Sequence, residues 1–442
     1  METGVSIRQD SRATKRHRKH KADPFLGLLC IFVAIFTFSF ARIWLLAILS
    51  GGIITSSSLL TANDWPRWRG TDFNGISKET GWSASWPQEG PKQLWKANVG
   101  TGFSSIAVSN GRAYTLGNIN DTETIYCLDA NTGKVLWKHS YACSTDPNLY
   151  EGGPNATPTV DGNAVYTFSR KGHVFALDAR SGNVIWSRNI HDELGLRIPS
   201  WGFSGSPLVD GKLLIINAGP AGTALDKATG KVVWSSGKES AGYSSPVPFE
   251  DGPTRAVLLF SIKALSAVNP ENGQLLWEHP WKTSWGVNAA DPVIVGDKIF
   301  ISSGYNQGCA LLRVAGNKVS VLWRNENMRN HFNSSLAVGD SVYGFDESSE
   351  FKCLDLQTGS IRWSEQSLGK GSLIGADGKL LILGEKGQLV VAEPSSEAFR
   401  PVARAQVLGG KCWTSPVLAN GRVYCRNAKG DVVCVDVSGK TN

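Results

Sequence analysis

The chain has 442 residues, 41% of them hydrophobic, with 48 Gly, 16 Trp, 8 Cys and a formal charge of +7. That length supports a sizeable core, and the Gly and Trp counts exclude a disordered or fibrous chain in favour of one with many turns and many large anchors. The charge is local: residues 1–24 carry seven Lys or Arg against three acids, so the remainder holds only +3 and shows no nucleic-acid footprint.

The basic run leads into Phe25 to Ala41, seventeen residues without a charge, then Arg42 and the apolar Ile43 to Leu49. A span of about 20 apolar residues crosses a bilayer, and Lys and Arg stay on the cytoplasmic side. Residues 1–24 therefore read as a cytoplasmic tail and 25–60 as a transmembrane signal-anchor, with the membrane as partner and the rest on the extracytoplasmic, periplasmic side. The alternative is a cleavable signal with its apolar region at Ile43 to Ile54, processed near Ala62, releasing a secreted protein. Residues 61–93 hold Trp65, Trp68, Trp82 and Trp86 with Pro66, Pro87 and Pro91. They follow neither helical nor strand periodicity, and so many aromatics need a surface; an irregular entry segment packing across the fold is expected.

From residue 94 to 442 the chain repeats. DANTGKVLW (Asp129 to Trp137) returns at Asp178 to Trp186, Asp226 to Trp234, Asn269 to Trp277 and Asp355 to Trp363. Steps between Trp95, Trp137, Trp186, Trp234, Trp277, Trp323 and Trp363 are 42, 49, 48, 43, 46 and 40 residues, the period of a four-stranded propeller blade. The Asp or Asn side chain accepts from amides two residues on, the Gly supplies positive φ, and the aliphatic run puts the indole at a constant offset on a strand. Each unit also has a hairpin pair between its first two strands, among them Asn110-Gly111, Asp161-Gly162, Asp377-Gly378 and Asn420-Gly421. The last unit stops after three strands, while Leu94 to Val99 is a blade-ending strand with no blade before it. An all-β, eight-bladed, monomeric propeller closed by its two ends is expected, with seven blades as the fallback if the Trp-less unit Leu373 to Val402 is split.

Cys127, Cys353 and Cys434 precede an Asp by two residues where other units have Ala, so they read as small packing residues; Cys412 and Cys425 are a candidate disulfide pair. The seven His lack ligand spacing, and no metal site is expected. Function belongs on the connections into each innermost strand, whose ends share an aromatic or Asn followed by Ser-Ser, Ser-Pro or Asp-Pro. Phe103, Ser104, Phe203, Tyr243, Asn288, Phe332, Asn333 and Trp413, with Trp201 and Trp285 on the same loops, are the candidate ligand-binding residues around one mouth of the central channel. Aromatics with a few amides suit a planar ligand, a sugar or a peptide strand; the bland alternative is that they only plug the channel.

The Asp-x-x-Thr-Gly-x-x-x-Trp repeat, with the preceding Phe175-Ala176-Leu177-Asp178, resembles the quinoprotein-type repeat, and Asp64-Trp65-Pro66-Arg67-Trp68-Arg69-Gly70 resembles that family's entry segment. The family includes pyrroloquinoline-quinone (PQQ) alcohol dehydrogenases and the assembly lipoprotein BamB. The resemblance implies a propeller over roughly residues 64–438. Its alcohol-oxidising members hold PQQ beneath two adjacent cysteines, bind calcium through a Glu, Asn and Asp set, and use an Asp as base. This chain has no adjacent Cys pair and no carboxylate cluster assignable to calcium, so no catalytic residue and no cofactor is expected. The first reading is a non-catalytic protein that binds a protein or polymer. The alternative is a PQQ- and calcium-dependent dehydrogenase of an alcohol or polyol with Asp291 or Asp346 as base, and a third is a carbohydrate-binding module stacking sugars on Trp201 and Trp285.

Overall fold

The computed structural model describes residues 63–439 apart from Leu149. The basic tail, the signal-anchor and the alternative cleavage point lie outside the described residues, among which no helix is long and apolar enough to cross a membrane. Eight antiparallel sheets form the blades of a closed propeller. The first runs Ala107–Ser109, Arg112–Ile119, Thr122–Asp129 and Val135–Ala142. The last combines Val417–Ala419, Arg422–Arg426 and Asp431–Asp436 with an outer strand from the other end of the chain, Gln93–Asn98. The Trp-less unit is one whole blade, Ser372–Ala376 to Arg400–Gln406, so the count is eight; it also gains a fifth, parallel strand, Ile76–Ser77. The two middle strands of the first blade are buried nearly throughout while its outer strand alternates, as expected where sheet packs on sheet on both sides.

Blade stacking follows from the repeat. Asp129 Oδ1 accepts from the amides of Asn131 and Thr132 and from the Thr132 hydroxyl, and Asp178, Asp226 and Asp355 bind their Ser or Thr in the same way. A bulge follows: Trp137 faces Cys127 and Val135 faces Leu128, leaving Leu136 over. The indole is thereby turned onto the next blade, where Nε1 of Trp95, Trp137, Trp186 and Trp234 donates to the carbonyls of Ala130, Ala179, Lys227 and Pro270 at 2.8–3.1 Å. The repeat's Gly has two jobs. Gly182 takes φ +76°, and a Cβ there would stand 2.6 Å from the Trp137 ring; Gly133, Gly230 and Gly273 seat Trp95, Trp186 and Trp234 alike. Trp277 has no such seat, because the next blade closes its outer hairpin with a tight turn at Gly316, which meets nothing within 4 Å. Cys127, Cys353 and Cys434 lie opposite Trp137, Trp363 and Trp95, which is why small residues stand there. All described cysteines, Cys412 and Cys425 included, are buried free thiols.

The entry segment closes one end of the axial channel. Trp65 bridges to Val108, the Pro66 carbonyl accepts from Val160, and the Trp68 indole donates to Asp291. Buried Arg69 donates to the Ser335 carbonyl, Gly75 pairs with Gly375, and Glu79 accepts from the amides of Asn420 and Gly421. Residues 64–79 thus cross from the first blade over the axis to the eighth. Beyond them, Trp82 and Trp86 join the apolar cluster that contains Ala403, the residue standing at the repeat-Trp position of the seventh blade.

Around the axis the inner strands are tied side chain to amide. Ser105 N donates to Thr157 Oγ1, Thr157 N to Ser206 Oγ, Ser206 N to Ser245 Oγ, Ser245 N to Asp291 Oδ1 and Asp291 N to Ser334 Oγ, at 2.7–3.1 Å. Apart from Thr157, these are the Ser-Ser, Ser-Pro and Asp-Pro residues of the pattern read in the sequence, and their role is to lace neighbouring blades. Buried charges occur where blades meet. Arg426 is fully buried and donates to the carbonyls of Ser104, Leu116 and Gly100 and to Thr115 Oγ1; burial pushes its pKa down to about 9. Glu123, also fully buried, accepts from the Tyr141 hydroxyl, and burial pushes its pKa up to about 7.

Two outcomes are expected. Gly182→Ala should lose about 1–3 kcal/mol or more in urea melts, because a methyl cannot share the Trp137 seat, whereas Gly316→Ala should lose only the smaller penalty of a positive φ; equal losses would contradict the seat. Glu123 binds its proton more tightly when folded than its ordinary value of 4.5 allows, so its contribution is complete below about pH 4.5 and lost as pH rises through about 7. Wild type should therefore lose stability relative to Glu123→Gln between pH 5 and pH 8, read as diverging denaturation midpoints.

Candidate functional site

Each inner strand starts at the channel end opposite the entry segment, so the long connections that feed these strands surround an open mouth. They line a cavity of about 280 Å³ on the propeller axis. Its floor is Trp68 and Asp291, and its walls come from seven of the eight blades. The seventh blade presents Gly369-Lys370-Gly371 instead; a Cβ at Gly371 would strike the Phe345 ring at 2.6 Å, so the chain is thin there.

Of the ten candidate residues, Phe103, Trp201, Tyr243, Phe332, Asn333 and Trp413 line this cavity together. Four do not. Ser104 is buried and its Oγ accepts from the Leu116 amide. Phe203 is buried against Phe168 with ring centroids 4.9 Å apart. Asn288 is buried and donates to the carbonyls of Ser261 and Trp281 while accepting from Ser303. Trp285 is 70% exposed and stands apart from the cavity. In each case the residue shares a loop with a lining residue, but neighbouring side chains on a loop point in different directions.

Tyr150, Asn155, Tyr305 and His331 in the wall and Trp68 on the floor also line the cavity and were not among the site candidates read from the sequence. Asn155-Ala156-Thr157-Pro158 is the second blade's version of the Ser-Pro pattern and carried the signal; Tyr305 sits on a turn between a second and a third strand, where nothing marked it. The aromatics touch in an arc: Tyr150 to Phe103 at 5.6 Å, Phe103 to Trp413 at 5.8 Å, Trp413 to Phe332 at 4.5 Å, Phe332 to His331 at 5.2 Å and His331 to Tyr305 at 5.1 Å. On the far wall Trp201 meets Tyr243 edge-on at 6.0 Å. A short helix, Ile190–Leu194, capped by Asn189, leads into the Trp201 loop, and buried Arg170 packs beneath it against Gly202.

Among the described residues Asp291 is the only carboxylate lining the cavity, and burial raises its pKa against the pull of Arg69. Both oxygens are engaged, Oδ1 by the Ser245 amide and Oδ2 by the Trp68 indole. Burial, then Lys370 nearby, pushes His331 down to about 4, so its imidazole is neutral at neutral pH. Glu385 holds the Trp413 indole at 3.0 Å, and Lys411 lies 4.5 Å over the same ring while pairing with Glu151 at 2.9 Å. Asp346, the other candidate base, is away from the cavity: it binds Arg329 and Lys352, which with Ser348 hold its pKa below the usual range despite burial.

A family model described as outer membrane protein assembly factor BamB matches residues 79–200 and 148–365. No curated protein matches the chain. Among solved structures, BamB from Moraxella catarrhalis is 16% identical with a TM-score of 0.58, over 79% of this chain and 99% of that one. Quinohemoprotein alcohol dehydrogenase from Comamonas testosteroni is 14% identical with a TM-score of 0.63, over 86% and 81%. The computationally designed Ika8 protein gives 14% and 0.57, over 78% and 100%. An assembly factor, an enzyme and a design share this architecture, so at these identities the likeness speaks for the fold alone. With the family model covering more than half of its length, and with the turn-plus-indole blades that carry the match, the chain belongs to the BamB family of PQQ-like β-propellers.

Proposed function

We propose that this chain is a binding protein: a propeller tethered by residues 25–60, facing the extracytoplasmic side, that captures a segment of protein or polymer at its aromatic mouth without reacting with it. The observation that carries the reading is the commitment of Asp291, whose two oxygens lace blades and hold the plug instead of facing a substrate. The remaining lining offers a neutral imidazole of pKa about 4, a poor base at neutral pH, and aromatic surface suited to contact. A family model named for an assembly factor supports a macromolecular partner.

The residues present do not fit PQQ and calcium. PQQ is a tricarboxylate, and among the described residues no Arg or Lys lines the cavity; the chain has no adjacent cysteines; and among the described residues no group of three or more His, Cys, Asp or Glu is placed to hold a metal ion.

Dialysis of the purified chain with PQQ and calcium should leave no quinone absorbance behind; a retained band that bleaches on adding a primary alcohol would establish the dehydrogenase instead. Trp413→Ala should leave the unfolding midpoint nearly unchanged, because its ring faces the cavity, while Phe203→Ala should cost about 3–5 kcal/mol as a core deletion. Carbonate extraction of membranes from expressing cells should leave the full-length chain in the pellet; its release into the supernatant would contradict the anchor.

A further inference from the structure

Resting on the binding reading, we propose that the axial cavity takes one neutral sugar ring of a glycan chain. Charge narrows the choice first. Among the described residues no Lys, Arg or Glu lines the cavity and Asp291 is committed, so a charged ligand group would be desolvated without a counterion. A cation would also approach Lys370, 3.3 Å from His331, and Lys411, which already covers one face of Trp413.

The walls supply apolar surface. Phe103, Trp413 and Phe332 stack on one another with centroids 5.8 and 4.5 Å apart and tilts of 26° and 35°, so they present ring edges and offset faces against which the C–H groups of a pyranose can pack. Polar groups decide between a sugar and an aliphatic or aromatic peptide side chain. Asn155 Nδ2 donates to Ser204 Oγ at 3.0 Å, and Ser204 in turn donates to the Gly202 carbonyl; Asn333 Nδ2 donates to the Gly371 carbonyl at 2.7 Å. Those bonds fix both amides with Oδ1 as the remaining atom, and neither Oδ1 has a donor among the described residues. Two such acceptors set in an aromatic wall call for a ligand with an apolar face and hydroxyl donors at its edge. Hydrocarbon side chains would leave both acceptors unpaired. The volume, about 280 Å³, suits one ring with the chain leaving through the mouth.

The test is titration of the full chain with maltotriose, cellotriose and chitotriose, followed by tryptophan fluorescence and calorimetry, with trigalacturonate, choline and a Gly-Trp-Gly peptide as comparisons. At least one neutral trisaccharide should bind at or below about 10 mM and shift the emission, while trigalacturonate and choline do not bind. Trp413→Ala should weaken that binding about tenfold and Asn155→Ala severalfold, with unfolding midpoints showing that both variants stay folded. Absence of binding by all three neutral sugars overturns the inference. Peptide binding that is lost in Trp413→Ala, with no sugar binding, overturns it too but leaves the binding reading standing. Retention of PQQ with alcohol oxidation removes both.

Discussion

The structure depends on an indole lying in a notch where no side chain can be. Trp95, Trp137, Trp186 and Trp234 each press on a glycine of the following blade and donate to a carbonyl three residues before it. One contact therefore sets the distance, the angle and the polar satisfaction of a blade junction. A Trp brings roughly 150–250 Å² of surface, enough to make the junction an apolar core in its own right. The exceptions fit the same logic: where Trp277 finds a tight hairpin there is no seat, and where Ala403 replaces the indole, the amino-terminal segment adds Trp82 and Trp86 to the neighbouring cluster.

Closure and plugging are the second consequence. A ring of sheets leaves no sheet face open once its ends meet and keeps only short edges, and pairing Gln93–Asn98 with Asp431–Asp436 ties the two ends of the chain into one blade. The price of an eight-blade wheel is an open axis lined by inner strands. Residues 64–79 fill one end of it, and the Trp68 to Asp291 bond anchors them at the centre. Asp291 stands where other blades use Ser or Thr in the hydrogen-bonded ring. The second oxygen of a carboxylate is what lets that one residue serve both the ring and the plug. A through-channel is thereby turned into a pit, and the pit has a specific floor.

The pit is where this propeller differs from a mere architecture shared among an assembly factor, an enzyme and a design. Its walls are mostly aromatic, the carboxylate on its floor is engaged, and two of its amide oxygens have no donor among the described residues. Recognition by shape and hydroxyl donation follows from that inventory more directly than bond making does. Arg170 and Glu123 lie beneath the loops that carry Tyr150 and Trp201, so the rim rests on a buried polar base.

The blade count, the turns and the small-residue role of the cysteines were legible in the residues, because the period repeats them within about fifty residues; the closing strand joins opposite ends of the chain but was legible because the period leaves one unit a strand short and one strand without a blade. Propensity and spacing carry such local information. The candidate site was legible only in part. The loops were found by their position between blades, and six of the ten chosen residues meet at the axis. Ser104, Phe203 and Asn288 are instead buried and Trp285 points away, because the direction of a loop side chain depends on which neighbour needs filling. Trp68 on the floor, Tyr305 on a turn and the double engagement of Asp291 arise from residues more than forty positions apart or from opposite ends of the chain. Sequence by itself determined the wheel; only the tertiary structure decided what fills its axis, since that depends on long-range packing that no local pattern encodes.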